Sequence, residues 1–183
     1  MTRLYLVRHG RAAAGWSTDR DPGLDEIGHG QAVAVAARLR PFGPLHIETS
    51  PFQRCRETAS PLATAWGVTA CVDQRIAEIP SPEGVAMSDR VEWLKHAMNG
   101  TWNELGVRYT AFRDAVAAAC RSRQGDSVLF THFIAINAAI GAATGDDRVV
   151  IRRLDNCSVT VIDVIDGVLH LVEGGHEADT LIR

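Results

Sequence analysis

The run Leu4-Tyr5-Leu6-Val7 is apolar at consecutive positions and breaks off at Arg8-His9-Gly10. Consecutive apolar residues suit a strand buried on both faces, which needs other elements packed above and below it. A cation, an imidazole and a glycine at the end of such a strand suggest a site. The same three residues also fit a strand that simply ends in polar surface groups. The rest of the chain has to decide between the two.

Helical and extended patterns alternate after that point. From Gly28 to Arg40 the apolar residues Ala32, Val35, Ala36 and Leu39 fall at helical spacing, and the pattern stops before Pro41. Leu45 to Thr49 reads as a short strand. Ser50 is a good N-cap and Pro51 suits a first helical position, so a second helix is expected to open there and run towards Gly67, with Pro61 as a candidate kink. Val68 to Val72 reads as a third strand. Ala77 to Met87, with Pro80, Pro82 and Gly84, reads as an irregular loop. A long helical region is expected from about Ser88 to Arg123, broken near Asn99-Gly100. Ser127 to Thr131 reads as a buried strand ending at His132, followed by a helix to about Thr144. Ser158 to Ile165 and Val168 to Val172 flank Asp166-Gly167, a strong hairpin signal. This order predicts a three-layer α/β/α domain with a mostly parallel central sheet and an added antiparallel C-terminal hairpin. At 183 residues, positions 1-183 are expected to form a single domain.

Composition removes several function classes. A net charge of −3 offers nothing to nucleic acid or to an anionic membrane surface. Lys95 is the only lysine, so arginine abundance says little and only arginine position is informative. No apolar run approaches the ~20 residues of a membrane span, and MTRLYLVRHG lacks the pattern of a signal peptide. Cys55, Cys71, Cys120 and Cys157 form no CxxC pair and read as reduced thiols, so a cytoplasmic location is expected. The seven histidines contain no HxH or HExxH pattern, and no metal site is expected.

Three strand ends carry the remaining signal. The first ends at Arg8-His9, the second at Ser50 with Arg54 just inside the following helix, and a later one at His132. If these strands are parallel and adjacent, the groups share the carboxyl edge of the sheet, where open α/β sheets bind ligands. Two guanidiniums and two imidazoles in one crevice require an anion. A phosphoryl group matches the arginine fork, and its transfer asks mainly for positioning and charge stabilisation. A neutral histidine can act as nucleophile, forming a phosphoramidate that water then breaks.

LVRHG, the SPxxRxxxTA pattern from Ser50 to Ala59, and a strand running into Thr131-His132 together resemble the histidine phosphatase superfamily, the phosphoglycerate-mutase-like group and its compact phosphatase branch. Gly15-Trp16, Asp21, Leu24, Gly28 and Gln31-Ala32 are similar to the family's segment after the catalytic histidine. The resemblance implies that His9 becomes phosphorylated and that Arg8, His9, Arg54 and His132 hold the phosphoryl group, with His132 also stabilising it in transfer. It implies Glu78 as general acid, with Glu83 in the same loop as rival, and a raised carboxyl pKa would serve that role. It implies no cofactor.

The chain departs from the family pattern in three places. Arg11-Ala12 follow RHG where Glu or Gln and then Ser or Thr are frequent, Gly15 stands where many members have asparagine, and Phe133-Ile134 replace glycines. Arg56 sits two residues from Arg54 and should face elsewhere. His29, His46, His96, His170 and His176 have no motif around them and read as structural. The function implied is hydrolysis of phosphomonoesters of a small molecule. The alternatives are a phosphoglycerate-type mutase, a phosphohistidine-protein phosphatase, or an inactive phospho-ligand binding module. Mutases of the family are typically longer, with segments that close the site.

Overall fold

A computed structural model describes residues 1–15 and 18–178, with residue 87 described by its backbone alone; Trp16 lies outside the described residues. Six strands form one sheet: β1 (Thr2–Arg8), β2 (His46–Thr49), β3 (Cys71–Val72), β4 (Ser127–Thr131), β5 (Val159–Ile165) and β6 (Val168–Glu173), in the order β3-β2-β4-β1-β5-β6. The pairs β1–β4, β4–β2 and β2–β3 are parallel, whereas β5 runs antiparallel to both β1 and β6. The helices are α1 (Glu26–Leu39), α2 (Gln53–Trp66), α3 (Arg90–Met98), α4 (Trp102–Leu105), α5 (Val107–Arg121) and α6 (Phe133–Thr144).

The two-sided apolar strands explain the layering. Leu4, Leu6 and Leu129 join one core with residues of α5 and α6, while Val7, Val128 and Phe130 join the other with α1 and α2. Neighbouring residues of one strand thus feed opposite cores, as the side-chain alternation of a strand requires. β4 lies between β1 and β2 and is buried at every position. In the ladder Arg8 stands opposite Thr131 and Thr49 opposite Phe130. The three strands therefore end level, and His9, Ser50 and His132 follow at one edge of the sheet.

Local chemistry moves several boundaries from their expected places. Asp25 caps α1 by accepting the Gly28 N–H, so that helix starts at Glu26. Ser50 does not cap α2. That helix begins at Gln53 behind Phe52, Ser50 Oγ accepts the Phe52 N–H, and Pro61 lies inside the helix without ending it. The third strand shrinks to two residues. The long helical region is divided at Asn99-Gly100 and again at Gly106, whose φ of 92° no ordinary helix contains. Thr101 and Glu104 form a capping box that starts α4 between the breaks. Asp166 and Gly167 both have positive φ, the backbone of a tight two-residue hairpin turn.

Gly10 and Gly28 are required by close approach. A Cβ on Gly28 would lie 2.1 Å from the Arg11 carbonyl oxygen, and one on Gly10 would lie 2.7 Å from the Gly28 oxygen. The segment after His9 thus rests backbone-to-backbone on the first turn of α1. Gly28→Ala should destabilise the fold by about 1–3 kcal/mol through overpacking. Gly30→Ala, with nothing within 4 Å of its Cβ, should stabilise it by about 0.5–1 kcal/mol through helix propensity. Urea unfolding of both variants checks this, and equal effects would contradict the close approach.

Candidate active site

The carboxyl edge of β1 and β4 opens into a cavity of about 480 Å³, lined among others by Arg8, His9, Arg54 and Glu78. His9 is almost fully buried. Its Nδ1 lies 2.8 Å from the Gly10 carbonyl oxygen, which can only accept, so Nδ1 carries the proton and Nε2 presents its lone pair. Arg54 Nε donates to that nitrogen at 3.3 Å. Burial first, and then the neighbouring His132, Arg54 and Arg8, hold the His9 imidazole well below the ordinary histidine range. It is neutral, the form in which it can attack.

Arg54 sits in the first turn of α2, 3% exposed, beneath the Phe52 ring at 4.7 Å. Its Nη2 lies 3.2 Å from His132 Nδ1 and 3.7 Å from Glu78 Oε2. Its Nη1 is buried without a hydrogen-bond partner among the described residues, a donor left for a ligand oxygen. Arg8 donates from Nη1 to the Leu154 carbonyl at 2.6 Å and lies over the Phe133 ring at 5.2 Å. Phe133 thus packs on a pocket cation in the place where glycines are frequent in the family.

His132 is wholly buried. Its Nε2 lies 2.7 Å from Ser50 Oγ and 3.4 Å from Cys55 Sγ, and its Nδ1 lies 3.3 Å from Glu78 Oε2. Because Ser50 Oγ already accepts the Phe52 N–H, its own proton is free for His132 Nε2. The ring proton then stands on Nδ1, facing Glu78. Burial lowers the His132 pKa against the pull of Glu78.

Of the two candidate glutamates, the structure brings only Glu78 to the cavity. Ile76 and Ile79 on either side of it are buried in the core shared with α5 and α6, and Thr131 Oγ1 donates to the Ile76 carbonyl at 2.6 Å. The Glu83 side chain is 88% exposed and pairs with Arg108 at 2.6 Å. The expected rise in the Glu78 pKa is not found. Burial does disfavour the carboxylate, but His132 and Arg54 outweigh it and hold the group below its ordinary range. A phosphoryl dianion bound among the same cations would push it back up.

Further residues fix this frame. Thr58 Oγ1 accepts the Gly10 N–H at 3.0 Å and donates to the Arg54 carbonyl at 2.6 Å, which accounts for the threonine of SPxxRxxxTA. Asn156 Nδ2 donates to the His9 carbonyl at 2.9 Å, a contact that no sequence pattern announces. Gly15 lines the cavity, as does Arg11, which is held by Asp25 at 2.5 Å. Arg56 faces solvent. His29, His46, His96, His170 and His176 are all exposed, and none of them lines the cavity. His9, Glu78 and His132 offer ligand atoms within 4.8 Å of one another, a spacing that could hold a metal ion. Arg54 faces all three, however, so the set suits an anion better than a cation.

A family model described as the histidine phosphatase superfamily (branch 1) matches residues 4–175. Probable phosphoglycerate mutase GpmB of Yersinia pestis (strain Pestoides F) is 31% identical over 189 residues, covering 89% of this chain and 85% of the relative. A mycobacterial glucosyl-3-phosphoglycerate phosphatase superposes with a TM-score of 0.76 at 24% identity, covering 97% of this chain and 100% of its own. A phosphoserine phosphatase from Entamoeba histolytica, in complex with 3-phosphoglyceric acid, superposes with a TM-score of 0.76 at 20% identity over 98% of both chains. These two structural likenesses concern the fold.

Removing the hydroxyl of Ser50 should free the His132 ring while leaving the fold intact. Ser50→Ala is expected to lower kcat/KM on a phosphomonoester about tenfold, the value of roughly one hydrogen bond, and to cost about 1–3 kcal/mol of stability without unfolding the protein. Undiminished kcat/KM would remove Ser50 from the site.

Proposed function

This chain belongs to the histidine phosphatase superfamily, and we propose that it is a metal-independent phosphatase that hydrolyses phosphomonoesters of small molecules through a phosphohistidine on His9. The observation that carries this reading is the neutral, buried His9, its Nε2 lone pair held beside Arg54 at the wall of a cation-lined cavity. Arg8, Arg54 and His132 would surround the phosphoryl oxygens. His9 Nε2 attacks phosphorus, the P–O ester bond breaks, and its electron pair leaves on the ester oxygen, which takes a proton from Glu78. Water then attacks the phosphohistidine, the Glu78 carboxylate accepts the water's proton, and the P–N electrons return to Nε2.

A phosphatase needs water at its phosphohistidine, and a cavity of about 480 Å³ has room for water once the alcohol product has left, which supports hydrolysis. Two of the structural neighbours are named as phosphatases, and the sequence relative as a probable mutase. A cytoplasmic location belongs to the same reading and is supported by the four free cysteines. No helix among the described residues is long and apolar enough to cross a membrane.

His9→Ala should abolish turnover of p-nitrophenyl phosphate, and EDTA should leave the unsubstituted enzyme unaffected; loss with EDTA would contradict metal independence. Glu78→Gln should cost about 10²–10⁴-fold on an alkyl phosphate, whose leaving oxygen needs a proton. On p-nitrophenyl phosphate, whose leaving group does not, the loss should be much smaller. Glu83→Gln should change neither rate, and the reverse pattern would transfer the acid to Glu83.

The pH dependence has a defined sign. Falling pH protonates His9 and removes the nucleophile, and because its pKa is depressed this occurs below the ordinary 6.5. The acid limb of kcat/KM, corrected for ionisation of the ester, should therefore lie below pH 6.5. An enzyme group titrating there at 6.5 or above would contradict a buried neutral His9.

A further inference from the structure

We propose that Arg153 binds a second anionic group on the leaving side of the substrate, so that the enzyme prefers phosphomonoesters that carry a carboxylate or a second phosphate. This inference rests on the phosphatase reading of the same cavity. Four arginines line that cavity: Arg8, Arg11, Arg54 and Arg153. Arg8 and Arg54 face the phosphoryl position, and Arg11 is held by Asp25. The Arg153 guanidinium is exposed and makes no ion pair or hydrogen bond among the described residues.

Several other arginines are paired with carboxylates. Arg152 pairs with Glu177 at 3.3 Å, Arg148 with Asp146 at 2.5 Å and Arg113 with Asp147 at 2.7 Å. Asp155, two residues further on, lines the same cavity but makes no ion pair with Arg153, and its Oδ1 accepts the Asn156 N–H at 2.7 Å. An arginine that lines an anion-binding cavity and is left without a carboxylate has its charge available to a ligand.

The backbone that carries Arg153 is fixed relative to His9. The Arg153 carbonyl accepts the Ala178 N–H at 3.0 Å. The Leu154 carbonyl takes Arg8 Nη1, and Asn156 Nδ2 donates to the His9 carbonyl. The backbone at Arg153 is thereby held at the cavity, and its exposed side chain has only its own rotamers to order on a ligand. Ala13, Ala14, Leu94 and Met98 line other parts of the cavity and offer no side-chain charge to compete for an anion.

Two matched pairs of esters test this: glycerol 3-phosphate against 3-phosphoglycerate, which adds a carboxylate, and fructose 6-phosphate against fructose 1,6-bisphosphate, which adds a phosphate. The unsubstituted enzyme should favour the more anionic member by about tenfold or more in kcat/KM in at least one pair, as expected of a charge-assisted contact, and the responsive pair identifies the anion. In Arg153→Gln that preference should fall to within about twofold. In Arg148→Gln, altered outside the cavity, it should persist. Absence of preference in the unsubstituted enzyme, or its survival in Arg153→Gln, overturns the proposal. Calorimetric affinities for the same pairs, measured in His9→Ala with and without Arg153→Gln, give the same ratio without turnover. Failure of every ester to be hydrolysed would thus count against the phosphatase reading, while the affinity ratio still decides the role of Arg153.

Discussion

Parallel pairing of β1 with β4 is the contact on which the site depends. The ladder sets Arg8 opposite Thr131, and the next N–H, that of His9, donates to the Thr131 carbonyl at 3.0 Å. Two imidazoles one residue beyond the ends of adjacent strands are thereby brought to a ring separation of 5.3 Å. β2 on the other side of β4 ends at the same level and delivers Arg54 one helical turn later. Backbone hydrogen bonds therefore set the spacing of the cations, and rotamer choice has only to refine it.

That spacing creates an electrostatic problem that only an anion relieves. Two guanidiniums and two imidazoles are withdrawn from water, and burial disfavours the protonated form of both rings. Glu78 is the carboxylate that offsets this within the site, and the pull on it keeps it ionised. A phosphoryl dianion would take over that offset and release Glu78 to hold a proton. In the proposed reaction, binding and acid–base function are in this way the same charge balance in two arrangements.

Much of this was legible in the sequence because the signals are local. Arg8, His9 and His132 follow runs of strand-forming residues, and Arg54 follows Ser50-Pro51 at a fixed spacing. The parallel edge could be inferred from the alternation of strands and helices. Glu78 required the family resemblance, since a loop glutamate has no pattern of its own and reaches the site through the burial of Ile76 and Ile79. Ser50 was misread because its local preference for capping yields to a tertiary partner, the His132 ring. Gly106 was missed as a break because a single glycine inside a helical pattern looks tolerable until its φ is known. The direction of the Glu78 pKa depends on distances that no sequence states.

The central claim is that the phosphoryl group passes through His9. Rapid quenching of the enzyme during turnover of p-nitrophenyl phosphate, followed by peptide mass spectrometry under alkaline conditions, tests it most directly. The account predicts one acid-labile phosphoryl group on the peptide containing His9, lost once the ester is exhausted. A phosphoryl group on any other residue, or rapid hydrolysis with no covalent label at all, would contradict it.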